Sequence, residues 1–333
     1  MCYNLDTGQP RIKERRYPNI ERKRKREGGV SLLSLVLVFA LALVLLTPIR
    51  VEAREDATAR SATVSDLQRS GKLTYTLPPV SNKSVWAHSR LTTNVYGRTL
   101  AEPALVMNGI TYLPLRATAA ALGLSASYSS GTRTMTVSGS GLYLTATDGG
   151  YVTYANSRPL FGFSPNVIMS SGRMYIPASS LTKALGMTFK VTGSTVTLGG
   201  SFRPLSAASA YYGEDEVFWL ARIITAEAGG ESLLGQIAVG DVILNRVRSS
   251  AFPNTIYGVI FDRRYGVQFS PVSNGTIYNT PTYTARLAAQ ICLEGTSLSD
   301  NAMYFLNPRT AHSHWIENNR KYVYTIGGHD FYL

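Results

Sequence analysis

Between residues 215 and 248 the apolar positions fall into a helical rhythm. Leu220, Ile223, Ile224 and Glu227 recur at i, i+3, i+4 and i+7, which predicts a helix over Asp215–Ala228 whose inward face carries one carboxylate. Gly229-Gly230 ends it, Ser232 is placed to cap the next helix, and Leu233–Arg248 is apolar on most sides, the pattern of a central helix. A third helix is expected over Pro281–Glu294, with Thr280 as cap, Pro281 in the first turn and Gly295 after the end.

Upstream the pattern shortens to strands and repeats itself. Asn108-Gly109-Ile110-Thr111-Tyr112-Leu113-Pro114 returns as Ser171-Gly172-Arg173-Met174-Tyr175-Ile176-Pro177, and Ala121-Leu122-Gly123 as Ala184-Leu185-Gly186, all at a spacing of 63. Each copy reads as a β-turn-β element, a short helix such as Leu115–Leu122, and a closing hairpin that includes Thr134–Ser138 or Ser194–Leu198. Neither half-unit could bury its apolar face well alone, so the two are expected to pack as one domain.

The N-terminal pattern is different again. Arg22–Arg26 (RKRKR) precedes an apolar run, Val30–Leu46, followed by Thr47-Pro48 and by Val51-Glu52-Ala53, which has the form of a cleavage site. Basic residues before an apolar run hold that end in the cytoplasm, so the rest of the chain is expected outside. The run fits either a cleaved signal peptide or a retained membrane anchor. Cys2 and Cys292 would lie on opposite sides, so no disulfide is expected in the exported part, and Cys292 reads as a packed core thiol.

Composition narrows the partners. The 333 residues carry a formal charge of +12, and residues 54–333 keep 23 Lys/Arg against 16 Asp/Glu. Those basic residues suit an anionic polymer, but they are scattered and form no helix stripe or recognised motif that would favour DNA or RNA. Partial burial of Glu227 would raise its pKa and suit it to protonating a leaving group, while on spacing alone a structural glutamate at a frayed helix end is the better fit.

The segment ITAEAGGESLLGQIAVGDVILNRV resembles the catalytic core of the spore cortex-lytic cell-wall hydrolases of the SleB/CwlJ type. FPNTIYGVIF at Phe252–Phe261, Gln268-Phe269-Ser270, NAMYFLNP at Asn301–Pro308 and GGHDFY at Gly327–Tyr332 extend the resemblance, in order, from about Glu214 to Leu333. It implies a compact, mostly helical, lysozyme-like domain that cleaves peptidoglycan glycan strands, with Glu227 on the family's catalytic glutamate. The repeats, over Asn94–Gly200, resemble the copper amine oxidase N-terminal-like domain through G-x-x-Y-x-P and the helix ending in Leu-Gly; Ala178-Ser179 replaces Leu115-Arg116 in the second copy. That stretch has no histidine or cysteine, so no copper is expected, and the repeats read as a wall-attachment module or a structural stalk.

The resulting expectation is an α+β multidomain chain. Its parts are a basic cytoplasmic segment 1–29, a signal peptide or anchor 30–53, a polar tether 54–93, the repeat domain 94–200, a linker 201–212 and the catalytic domain 213–333. Glycosidases usually use two carboxylates, and here only Glu227 has both the apolar setting and the family correspondence. Glu231 is expected beside the start of the second helix, Asp241 and Asn245 as a polar pair within it, and Asp262, Glu294 and Asp300 in or beside loops. The resemblance implies a lytic transglycosylase, in which the 6-hydroxyl of N-acetylmuramic acid attacks C1, and a setting in spore cortex hydrolysis during germination. Gln268, Phe269, Tyr304, Asn307, Trp315 and His329 are the candidate substrate contacts; no cofactor or metal is called for. Two other readings stay open: a zinc amidase with His312, His314 and His329 as ligands, and a non-catalytic wall-binding protein.

Overall fold

The computed structural model describes residues 89–162, 166–299, 301–311 and 313–333, all within one compact unit, Arg50–Leu333. The apolar run and cleavage site of residues 30–53 lie outside the described residues. Among the described residues no helix is long and apolar enough to cross a membrane.

The fold is mixed α+β. Strand β1 (Ser89–Val95) is followed by the short β2 (Arg98–Thr99) and by a hairpin of β3 (Ala104–Met107) and β4 (Ile110–Pro114). Helix α1 (Leu115–Ala121) then leads to a second hairpin, β5 (Ser125–Ser129) and β6 (Thr134–Gly139). Strands β7 (Leu142–Thr147), β8 (Val152–Ala155) and β9 (Arg158–Phe161) continue as a meander. The order hairpin, helix, hairpin then recurs in β10 (Ile168–Ser170), β11 (Arg173–Pro177), α2 (Ala178–Leu185), β12 (Thr188–Thr192) and β13 (Thr195–Gly199). The turns Asn108-Gly109 and Ser171-Gly172 hold both residues at positive φ, between 49° and 76°, the backbone that tight hairpin turns require.

The two hairpin-helix-hairpin segments diverge in where they send their last strands. An eight-stranded sheet runs β10-β11-β4-β3-β1-β13-β12, with β2 beside β1, and β4 meets β11 directly, Leu113 opposite Ile176. Strands β12 and β13 stay in that sheet, β13 parallel to β1, whereas β5 and β6 open a separate five-stranded meander through β9. Leu113, Leu144, Ile176, Leu185 and Leu198 fill the space between. Strand β1 corrects one boundary: Ser89–Thr93, assigned to the tether from their polarity, are ladder residues, because β1 is the strand that joins β3 to β13. Residues 201–212 pack rather than dangle. Arg203 N and Leu205 N donate to Leu185 O and Ala184 O, and a Cβ at Gly186 would lie 1.8 Å from Arg203 O, so only glycine fits there.

After α3 (Ala208–Tyr211) the chain becomes helical. Helix α4 (Glu214–Ala228) and α5 (Leu233–Arg248) follow the expected apolar rhythm, with Ser232 Oγ accepting from Gly235 N as the cap of α5. Short helices α6 (Ile256–Ile260) and α7 (Ser270–Asn274) lead to α8 (Tyr283–Leu293). Its cap is Thr282, not Thr280: Thr282 Oγ1 accepts from Ala285 N, while Thr282 N donates to Thr225 Oγ1 of α4 and holds the entry extended. Helices α4, α5 and α8 meet at Gly240, where a Cβ would lie 2.7 Å from Cys292 Sγ and 3.0 Å from Ile224 Cδ1. Cys292 is a buried free thiol, pushed well up in pKa chiefly by that burial. Asp241 and Asn245, expected to serve each other, instead pin the next loop: Asp241 Oδ2 accepts from Leu298 N, and Asn245 Nδ2 donates to Ser299 O and Ala302 O. Beyond β14 (Tyr304–Leu306) and α9 (Trp315–Asn319), β15 (Tyr322–Ile326) and β16 (His329–Tyr332) complete a small sheet ordered β14-β16-β15.

The β region and the helical region share a seam. Phe161 of β9 belongs to the helical core, and Arg158 Nε and Nη2 donate to the Glu294 carboxylate at 2.6 and 2.8 Å, both side chains buried. Lys183 Nζ adds a bond to Glu294 O, and Tyr211 lies under the Arg158 guanidinium at 3.4 Å. Burial opposes the charge on Arg158, but the bonds and charge of Glu294 outweigh it and raise its pKa.

Candidate active site

Glu227 sits in the last turn of α4, partly buried, where the inward face of the helix meets the break at Gly229-Gly230. Burial lifts its pKa from 4.5 to about 7; the cation of Arg246 pulls the other way and does not cancel it. Among the described residues Glu227 makes no hydrogen bond or ion pair, whereas Glu231, Asp241, Asp262 and Glu294 of the same region each hold a partner. Glu231 accepts from Gly328 N at 3.1 Å, Asp241 holds Leu298 N, Asp262 is bonded to Arg264, and Glu294 to Arg158. The Asp262 pKa is lowered by its Arg264 bond.

Arg246, which the sequence pattern did not flag, is the nearby cation. It is buried in α5 among the rings of Phe252, Phe269 and Tyr304, 5.0, 5.1 and 5.3 Å from their centroids, and its Nε donates to Met303 O. Burial lowers its pKa to about 10, against the opposing pull of Tyr304, Asp262 and Glu227. The signal for it was an arginine inside a helix apolar on nearly every side, a residue that must find partners when buried.

The candidate contacts divide into two groups. Tyr304 and Trp315 meet edge to face at 6.5 Å with Arg320 against both rings, and Trp315 is 51 % exposed. Phe269 and His329, expected as contacts, are instead buried: Phe269 packs on Arg246 and Phe305, and His329 lies edge-on to Phe305. Gln268 Nε2 donates to Gly266 O, and Asn307 Oδ1 accepts from Arg309 N in its own loop.

Glu231 is tied to the turn before β16. Its Oε1 lies 3.6 Å from His329 Nδ1, and a Cβ at Gly327 would lie 1.8 Å from its Oε2, so the Gly327-Gly328 turn exists to let this carboxylate in. Burial lowers the His329 pKa despite Glu231 and Asp330, leaving the ring neutral near pH 7. Of the amidase ligands, His314 bonds Glu317, His329 stands beside Glu231, and His312 lies outside the described residues. Among the described residues no group of three or more His, Cys, Asp or Glu side chains could hold a metal ion.

Comparison with known proteins assigns the sequence around this site. Residues 230–332 match the family model for cell wall hydrolases, and residues 94–198 match that for the copper amine oxidase N-terminal domain. The catalytic domain of the germination-specific lytic transglycosylase SleB from Bacillus anthracis is 43% identical, over 37% of this chain and 97% of that one, with a TM-score of 0.34. Through its C-terminal region the chain therefore belongs to the cell wall hydrolase family. Among full-length relatives, the spore cortex-lytic enzyme of Bacillus cereus is 43% identical over 120 residues, 36% of this chain and 45% of that protein. That of Bacillus subtilis is 40% identical over 120 residues, 36% and 38%. The chain thus spans less than half the length of these relatives.

Proposed function

We propose that this chain is an exported lytic transglycosylase that cleaves peptidoglycan glycan strands, acting on spore cortex during germination, with Glu227 as its acid and base. The carrying observation is a carboxyl lifted to about pH 7 by burial and left without a hydrogen-bond partner, where Glu231, Asp241, Asp262 and Glu294 are each engaged. Glu227 falls outside the matched range 230–332, so its assignment stands on that environment and on its place in the motif.

In the first step protonated Glu227 gives its proton to the glycosidic oxygen as the bond from C1 of N-acetylmuramic acid to that oxygen breaks. The carboxylate then takes the proton of the 6-hydroxyl as its oxygen bonds to C1, closing a 1,6-anhydro ring. Glu227 returns to its starting state and no water is consumed, so no second carboxylate is needed. Trp315, Tyr304, Asn307 and Gln268 contact the strand from the cleft wall. Phe269 and His329 act from behind it, Phe269 by holding Arg246 and His329 by bracing Glu231 at the Gly327-Gly328 turn.

The wider architecture follows the same reading. Segments 104–139 and 168–199 are two copies of one unit within a repeat domain of 94–200 that holds the enzyme on the wall, joined through 201–212 to a lysozyme-like catalytic domain, 213–333. Residues 30–53 serve export, as a cleaved signal or a retained anchor, and 54–93 is the tether. Digestion of purified peptidoglycan by the wild type, by Glu227→Gln and by the wild type with chelator, read by mass spectrometry, tests the assignment. Anhydromuropeptides that vanish with Glu227→Gln and survive chelator are expected; released free stem peptides would establish an amidase instead.

A further inference from the structure

A cleft of about 370 Å³ opens at the seam, away from the buried core of α4, α5 and α8. On its helical wall, Tyr283, Arg286 and Gln290 recur at i, i+3 and i+7 along α8, while Ala285, Ala288, Ala289 and Cys292 on the opposite side are buried. On its sheet wall, Tyr143 and Thr145 alternate with buried Leu142, Leu144 and Ala146 and so stand on the outer face of β7, with Tyr154 of β8 opposite Thr145. The hydroxyls of Tyr154 and Tyr283 lie close enough across the gap to act on each other. The lining contains an arginine and no carboxylate. Tyr143 and Tyr283 are 58 % and 77 % exposed, more than core packing would leave them, and the Arg158–Glu294 pair at the end of α8 holds the walls in register.

We propose that this cleft is an accessory subsite for the wall polymer, with sugar rings of a second strand segment on the tyrosine faces and a stem-peptide carboxylate on Arg286. Tyrosine offers an apolar ring and a hydroxyl together, suited to a sugar's mixed surface, and the planar guanidinium matches a carboxylate with two parallel bonds. The absence of any acid in the lining favours an anionic occupant. The inference rests on peptidoglycan being the substrate.

Co-sedimentation of the full chain with insoluble peptidoglycan, in a Glu227→Gln background to prevent turnover, tests it. Tyr143→Ala and Arg286→Glu, one on each wall, should each weaken binding about tenfold, since each removes one of the two recognition elements. Lys190→Glu, which makes the same charge change at an exposed residue of β12, should leave binding within about twofold. Stripping the stem peptides from the polymer should lower binding of the parent to the level of Arg286→Glu. Unchanged binding in either cleft variant, or an equal loss with Lys190→Glu, overturns the subsite. Free stem peptides from an enzyme with intact Glu227 would sink the transglycosylase reading while the binding result stood. Anhydro products with variant-insensitive binding would sink the subsite alone.

Discussion

Two glutamates close two neighbouring helices, Glu227 in the last turn of α4 and Glu294 at the C-cap of α8, and they meet opposite circumstances. Glu294 is the more deeply buried, yet Arg158 and Lys183 reach it from the β region and its charge is matched. Glu227 keeps more contact with solvent, has no such partner, and holds its proton to about pH 7. Burial alone does not set what a carboxyl does; the presence or absence of a cation in bonding geometry decides whether it becomes a rivet or a proton donor.

The strongest way to break this contrast is to treat the two sites alike. Glu227→Gln should lower kcat by about 10³-fold or more, the scale of losing a general acid, with the circular dichroism spectrum unchanged. Retention of most activity in a muropeptide-release assay would remove Glu227 from the chemistry. Glu294→Gln should do the reverse: it leaves Arg158 buried without its charge partner and should cost about 3–5 kcal/mol in denaturant unfolding. Changing Arg158 and Glu294 together to methionine should recover most of that loss, and failure to do so would mean the seam is held by something other than charge pairing.

Stability against pH sharpens the contrast further. Folded Glu227 keeps its proton up to about pH 7, whereas the unfolded carboxyl releases it near 4.5. The fold therefore binds the extra proton between those values, and its stability falls as pH rises through that window and levels off above it. Relative to the wild type, Glu227→Gln should be unchanged near pH 4 and more stable at pH 8.5 by about 1–3 kcal/mol, measured by urea unfolding at the two pH values. Next in size, Gly240→Ala should destabilise by about 1–3 kcal/mol, because its methyl would press on Cys292 and Ile224. The smallest effect concerns the pH profile. Activity should fall as pH rises past about 7, and Arg246→Met should carry that falling limb to higher pH, because the guanidinium now favours the ionised form of Glu227. A limb that moves to lower pH would show that Arg246 acts on Glu227 through packing rather than charge.

Much of this was legible in the chain itself, and the exceptions share a cause. Helices α4 and α5, their glycine break and the Ser232 cap follow from spacing, since each depends on residues within a turn or two of one another. The α8 cap moved from Thr280 to Thr282 because Thr225 of a different helix holds the entry. Asp241 and Asn245 have the right spacing to serve each other, and only the tertiary placement of Leu298, Ser299 and Ala302 gives them other work. The tie of Glu231 to the Gly327-Gly328 turn was missed for the same reason, since its partner is distant in sequence, whereas Arg246 left a local trace as an arginine within an apolar helix. Burial of Phe269 and His329, too, is set by the small C-terminal sheet rather than by their own segments.

Arg158 and Glu294 stand 136 positions apart. Neither is tolerable alone in that seam, so among chains that combine these two regions the pair should be inherited as a unit, replaced together or kept together. A chain that carries the helical region beside some other module is released from that rule, and its residue at position 294 should drift freely among polar types.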